Sequence, residues 1–364
     1  MSTIPEWAYA GALAALPLQT HHRLRRVLGD RSACEAWREA MSGPVSHFGI
    51  SAEVVTAWRS VDSRFVEKIQ HSCLIAGVSV LTRRDATYPR QLLLDPAAPA
   101  VLFVAGELPS VPTRRVAIVG TRHATQYGKH FAEKLARELS AHGVCVVSGL
   151  ARGIDVEAHV GALSAANGAP PLAVVAGGPD VVYPREHRNI WTRMTNTGAI
   201  ISEYPPGSKP ESYRFPLRNR ILAGTSEIVV VVESRATGGS MLTVNEAIKR
   251  GITVMAVPGS PHVKPSEGTN NLLRDGCAPV MCVDDVLMAL GLDTQRLDGC
   301  NEVRPILDAH HLRIIDVVRG MPCTTDEVSL LTGLPLISCA VSLGRLEQQG
   351  WVAHSDGWWE ALVR

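Results

Sequence analysis

Val116-Ala-Ile-Val-Gly-Thr-Arg122 decides the fold: a run of apolar residues fit for a strand buried on both faces stops on a glycine and then presents an arginine. In an open α/β sheet, ligands bind beyond the carboxyl ends of the strands, so the residues that follow each apolar run are the informative ones. The run Val144-Cys-Val-Val-Ser148 leads into Gly149-Leu-Ala-Arg-Gly-Ile-Asp155, and Glu227-Ile-Val-Val-Val-Val-Glu233 leads into Arg235-Ala-Thr-Gly-Gly-Ser240. Three strand ends repeat glycines around an arginine, and that chemistry suits phosphate.

Around this segment, from Arg115 to about Leu290, apolar strands alternate with amphipathic helices. Phe131, Leu135 and Leu139 recur at four-residue spacing in the first helix, with Gly143 as its stop. Further strands are expected at Leu172 to Ala176, Ala199 to Glu203, Ile252 to Val257 and Ala278 to Cys282. The pattern predicts a doubly wound, mostly parallel α/β sheet. Two earlier β-rich runs, Val78 to Leu81 and Ala100 to Val104, flank a Tyr88-Pro89 turn and extend the domain to residues 73–290. Before it, residues 1–72 read as helical, with Leu13, Leu16, Leu24, Val27 and Leu28 on helix-like spacings and a break at Gly43-Pro44. After it, the polar segment 291–308 reads as a linker. Residues 309–364 then supply a helix from Ala309, a Thr324-Thr-Asp-Glu327 capping box, a Gly333-Leu-Pro335 turn, a helix from Leu336 to Gln349 and two strands about Ser355-Asp-Gly357. Helix, helix, turn, helix and hairpin predict a winged helix.

The net charge of the 364 residues is +1, so any nucleic-acid contact must be a local patch. Eight scattered cysteines include no C-x-x-C pair and no histidine at zinc-ligand spacing, which predicts reduced thiols and no metal site. No basic, apolar leader opens the chain and no eighteen apolar residues run together, so a cytoplasmic protein without membrane insertion is expected. A dinucleotide fingerprint needs a second glycine where Arg122 stands, and no glycine-rich run ends in Gly-Lys-Ser or Gly-Lys-Thr; neither NAD, FAD nor another cofactor is expected.

Ser212-Tyr-Arg-Phe-Pro-Leu-Arg-Asn-Arg-Ile221 is the most telling segment. Pro216 suits the first turn of a helix, which predicts an extended Phe215 and puts Arg218, Asn219 and Arg220 in the first turns. There the helix dipole disfavours cations by roughly 0.3 to 1 kcal/mol each. A phosphate chain passing the helix start would account for Arg214 and Arg218, with Phe215 as a face for a base. Pairing with Glu203, Glu211 or Glu227, and a core Phe215, is the other account. Four cationic loops on one sheet edge, at Arg122, Arg152, Arg214 to Arg220 and Arg235, favour the ligand. Gly238-Gly-Ser240 ahead of a helix exposes backbone N–H groups to an anion, or is a tight turn with Ser240 as N-cap. Asp155, His159, Asp180, Glu203 and Glu233 lie near strand ends, yet no nucleophile with a paired base stands out, and no catalytic residue is assigned. Asp155 is read equally as a helix N-cap.

These motifs, with Tyr127-Gly128, Ala158-His159, Tyr183-Pro184, Ser202-Glu-Tyr-Pro205 and Val257-Pro-Gly259, occur in an order that resembles the DNA-processing protein A family, DprA or Smf, over nearly the whole chain. The resemblance implies an extended Rossmann-like domain flanked by an N-terminal SAM-like module and a C-terminal winged helix. It also implies a non-enzymatic binder of single-stranded DNA that loads the RecA recombinase during natural transformation and recombination, and a homodimer paired through the Rossmann-like domain. The phosphate- and DNA-binding candidates are Gly120, Thr121, Arg122, Gly149, Arg152, Arg214, Phe215, Arg218, Asn219, Arg220, Gly239 and Ser240. Thr121 stands where the family commonly has serine, and Gly238 and Met241 where it has serine and leucine. The N-terminal module carries Leu16-Pro-Leu-Gln-Thr-His-His22 in place of a helix-hairpin-helix glycine pattern. From Ala309 onward four cations face six anions, which points the winged helix toward protein contacts. Two other readings stand beside this one: a nucleotide-processing enzyme similar to the phosphoribohydrolases, echoed by Gly238 to Glu246, and a winged-helix transcription regulator.

Overall fold

The computed structural model describes residues 4–43, 49–108, 113–292, 307–349, 351–355 and 357–361. The chain divides into two compact units, Met1–Thr294 and Gln295–Arg364.

The first unit opens with helices α1 (Glu6–Ala15), α2 (His21–Leu28), α3 (Ala33–Ser42), α4 (Ala52–Arg59) and α5 (Phe65–Ala76). Strand β1 (Val78–Thr82), short helix α6 (Arg90–Leu93) and strand β2 (Val101–Gly106) follow. Then strands and helices alternate: β3 (Arg115–Val119), α7 (Gln126–Ala141), β4 (Cys145–Ser148), α8 (Ile154–Ser164), β5 (Leu172–Val174), α9 (Arg188–Thr197), β6 (Ala199–Ser202), α10 (Arg214–Gly224), β7 (Ile228–Val231), α11 (Gly239–Ile248), β8 (Thr253–Ala256), α12 (Glu267–Arg274), β9 (Ala278–Pro279) and α13 (Val283–Ala289). Every strand expected from the sequence is present.

The strands form one sheet in the order β1-β2-β6-β5-β4-β3-β7-β8-β9. Pairing is antiparallel at β1–β2 and β2–β6 and parallel from β6 to β9. From β3 the chain winds outward through β4, β5 and β6, then returns to lay β7 against the free side of β3, with Val119 opposite Val231. The switch point between β3 and β7 is where such a sheet opens a crevice.

Alternation within the strands explains why both faces are covered. Ala117, Val119, Val229 and Val231 enter one core, and Val116, Ile118, Ile228 and Val230 the other. Each valine or isoleucine among them contributes about 1.5–3 kcal/mol on full burial, which commits these runs to the centre of the sheet. Toward the β1–β2 edge, Phe103, Val78, Val80 and Ile200 share a core with Leu13, Val27 and Trp58 of the opening helices. The indole N–H of Trp58 donates to Pro17 O at 3.0 Å. One core therefore runs from the opening helices into this edge of the sheet. Pro44 of the expected helix break, and 293–306 of the expected linker, lie outside the described residues.

The second unit contains α14 (Ala309–Gly320), α15 (Thr325–Thr332), α16 (Leu336–Gln348) and the hairpin β10 (Val352–Ser355) and β11 (Trp358–Ala361). The Thr324–Glu327 capping box forms in both directions, and Gly333 ends α15 in the left-handed conformation at φ 69°. Ile314, Ile315, Val328, Leu343, Leu346 and Val352 make its core. Among the described residues of either unit, no single helix is long and apolar enough to cross a membrane.

Candidate nucleic-acid interface

At the β3–β7 switch point lies an open cleft of about 520 Å³. Gly120, Thr121, Arg122 and His123 line it from the end of β3, Arg235, Gly238, Gly239 and Ser240 from the end of β7, and Phe215, Arg218 and Asn219 from α10. Of the twelve residues expected from sequence, eight are brought together here.

The β3 loop is fixed by its own backbone. Thr121 N donates to Glu233 O at 2.7 Å, Thr121 O accepts from Ile154 N at 3.3 Å, and Thr121 Oγ1 accepts from His123 N at 3.2 Å. Gly153 supports this at φ 75°, packed so close to Thr121 O that a side chain has no room. The loop leaves Arg122 exposed, with its guanidinium 4.9 Å from the centre of the Phe215 ring. Tyr183 also packs against Phe215, ring centres 5.8 Å apart. Tyr183 lines the cleft and is 46% exposed, although strand-end reasoning passes over it because it lies well beyond β5.

Arg218 is the unusual member. It is only 5% exposed, yet its Nε and one terminal nitrogen, Nη1, have no hydrogen-bond partner. Asp155 is close enough to attract it but makes no ion pair with it; that carboxylate accepts instead from the backbone N–H groups of Ala151 and Gly120. Burial pushes the Asp155 carboxyl above its usual range against the pull of Arg218 and Arg122, and pushes Arg218 down. A buried donor left unpaired costs about 1–3 kcal/mol, more when charged, unless a ligand supplies the acceptor.

Helix α10 begins at Arg214, two residues before Pro216, with Tyr213 at its N-cap. Phe215 is helical, contrary to the extended conformation expected ahead of proline. Proline is tolerated throughout the first turn, where no N–H is needed for the helix. Ser240 is likewise inside α11: the N-cap is Gly238, and the Ser240 hydroxyl donates to Ser234 Oγ at 2.7 Å. It is the start of α11, with its free N–H groups, that opens on the cleft. Asp155 is not a cap either, since Gly153 holds that position.

Four expected contacts fall elsewhere. Arg220 turns to the back of α10, where its buried guanidinium pairs with Glu203 and donates to Ala97 O. The carboxylate account applies to it. Arg214 pairs with Glu211 at 3.5 Å and lies 4.2 Å from the centre of the Tyr204 ring. Arg152 pairs with Glu186 at 2.5 Å. Gly149 does not line the cleft; it provides the bare backbone against which Arg218 rests.

The acid–base candidates also have structural tasks. Asp180 accepts from Gly207 N at 2.9 and 3.0 Å, and Glu233 takes Thr125 N at 2.9 Å and its hydroxyl at 2.5 Å, fixing the start of α7. Burial pushes His159 down to about 3, so it carries no charge near neutrality. Cations, aromatic faces and a helix start gather around the cleft.

The model of the DNA recombination-mediator protein A family matches residues 79–291. A putative DNA processing protein DprA of Mycobacterium tuberculosis is 37% identical over 384 aligned positions, covering 99% of this chain and 95% of that protein. The crystal structure of DNA processing protein A from Streptococcus pneumoniae superposes with a TM-score of 0.66 at 29% identity, covering 79% of this chain and 98% of that one. The solved structure of the Helicobacter pylori protein gives 0.52 at 29% identity, covering 59% and 96%. The folded cleft, the strand-end motifs and these likenesses over most of its length agree: the chain belongs to the DNA recombination-mediator protein A family, DprA.

Proposed function

We propose that the chain binds single-stranded DNA without sequence preference in the β3–β7 cleft and delivers it to the RecA recombinase. The observation that carries this reading is Arg218, a buried guanidinium with unpaired donors at the wall of a cleft shared with Arg122 and Arg235. Phosphates accept from these arginines and from the start of α11, while Phe215 and Tyr183 offer faces on which any base stacks. The Helicobacter pylori relative is described as having a single-stranded DNA binding mode, which supports the same polymer here. Arg220, Arg214 and Arg152 act in this scheme by holding the surrounding elements through their carboxylates. RecA delivery and a homodimer paired through the Rossmann-like domain rest on family membership.

Binding of labelled oligothymidine across a salt series, with duplex of equal length as competitor, tests the proposal. Three neutralised phosphates give a slope of roughly −2 in log K against log salt. Strand-selective binding weakened at least tenfold by both Arg122→Ala and Arg218→Ala is the expected result, followed by faster RecA filament growth on the same strand. Equal affinity for duplex, or unchanged binding by both variants, overturns the assignment.

A further inference from the structure

The second unit carries a surface that DNA chemistry does not explain. From Ser329 to Gly344, sixteen consecutive residues spanning the end of α15 and most of α16 include no Asp, Glu, Lys, Arg or His. Within that stretch Leu330 is 82% and Ile337 81% exposed, and Leu331, Leu336 and Val341 are about half exposed. Ile337 and Val341 are four residues apart, as are Leu336 and Ala340, so they share one face of α16, while Cys339, Leu343 and Leu346 fill the unit's own core from the other. The two helices meet at 114° across the Gly333-Leu-Pro335 turn.

A contiguous exposed apolar patch marks an association site. In a helix–turn–helix arrangement the outer face of the second helix is the one that enters a DNA groove, where affinity comes from neutralised phosphates. This face offers a single cation, Arg345, at its far end. We propose that it binds the same face of a second copy of this chain. In a two-fold contact each residue meets its own counterpart or a symmetry mate, so a charge inside the patch can meet its like; a patch with no charge over sixteen residues is complementary to itself. Exposed Asp326 and Arg345 border it at opposite ends, so antiparallel pairing of two copies brings opposite charges together.

Sedimentation velocity of the full chain at 0.5 M salt (about the level at which phosphate contacts are screened) tests this with Ile337→Asp, Ile337→Lys and, as a control outside the patch, Leu94→Asp. The wild type and the control are expected to show, beyond the dimer paired through the Rossmann-like domain, a further association step that both Ile337 variants lose, with circular dichroism unchanged. Mixing Ile337→Asp with Ile337→Lys is expected to restore it, because opposite charges then face each other. Identical masses for all the proteins overturn the proposal. So does a mixture that fails to reassociate, which would put a different surface against this face. Loss of duplex or liposome binding by the variants with no change in mass overturns it in favour of those partners.

Discussion

Arg218 packs directly against Gly149: a methyl group on Gly149 would overlap the buried Arg218 Nη1 atom, so the guanidinium could only move out toward the cleft. Glycine is required at the end of β4 for what it lacks. Gly149→Ala is expected to displace Arg218 into solvent, weakening oligothymidine binding at least tenfold while lowering stability by no more than about 1 kcal/mol. Isothermal titration paired with urea unfolding checks it. A large stability loss with intact binding would place the strain in the backbone instead.

Arg218 itself should trade stability for binding. Its unpaired donors oppose folding in the absence of ligand, so replacing it by an apolar residue of similar length removes a penalty. Arg218→Met is expected to raise unfolding stability by about 1 kcal/mol and to lose strand binding. Denaturant midpoints without DNA decide the first part; a midpoint lower than wild type would mean that Arg218 has partners holding it in the fold.

How far the sequence could be read follows from the same residues. The apolar runs mark the strands because both sheet faces are buried, and the arginines after them mark the switch point because loops at strand ends have few other constraints. What periodicity cannot give is direction around a helix. Arg218 and Arg220 are two residues apart on α10 and so point about 160° apart, one toward the cleft and the other toward Glu203. Nor does the sequence place Tyr183, whose position beside Phe215 arises from a long excursion after β5. Pro216 marks a helix start only to within a turn, which is why the onset at Arg214 was not legible.

Arg220 therefore makes the opposite prediction to Arg218. Its pair with Glu203 is buried, and removing one partner leaves a charge uncompensated at a cost of about 3–5 kcal/mol. Arg220→Met is expected to be strongly destabilised, and Arg220→Met with Glu203→Leu to recover most of that loss. The double variant, once folded, should still bind oligothymidine through Arg122 and Arg218. Failure of the double variant to bind at wild-type stability would return Arg220 to the list of DNA contacts.

His159 gives the fold a pH dependence of known sign. Burial, first, and the nearby Arg218 and His187 hold its folded pKa at about 3, below the ordinary value of 6.5. Between these values the unfolded chain binds a proton that the folded chain does not, so stability rises with pH through this window and the effect is complete above about 6.5. On passing from pH 7 to pH 5 the wild type should lose roughly 2 kcal/mol from this group alone. His159→Gln removes the titration, and its urea midpoint should fall less over that range than the wild type's. Equal pH slopes for the two proteins would show that the imidazole is protonated in the fold, with a partner in reach.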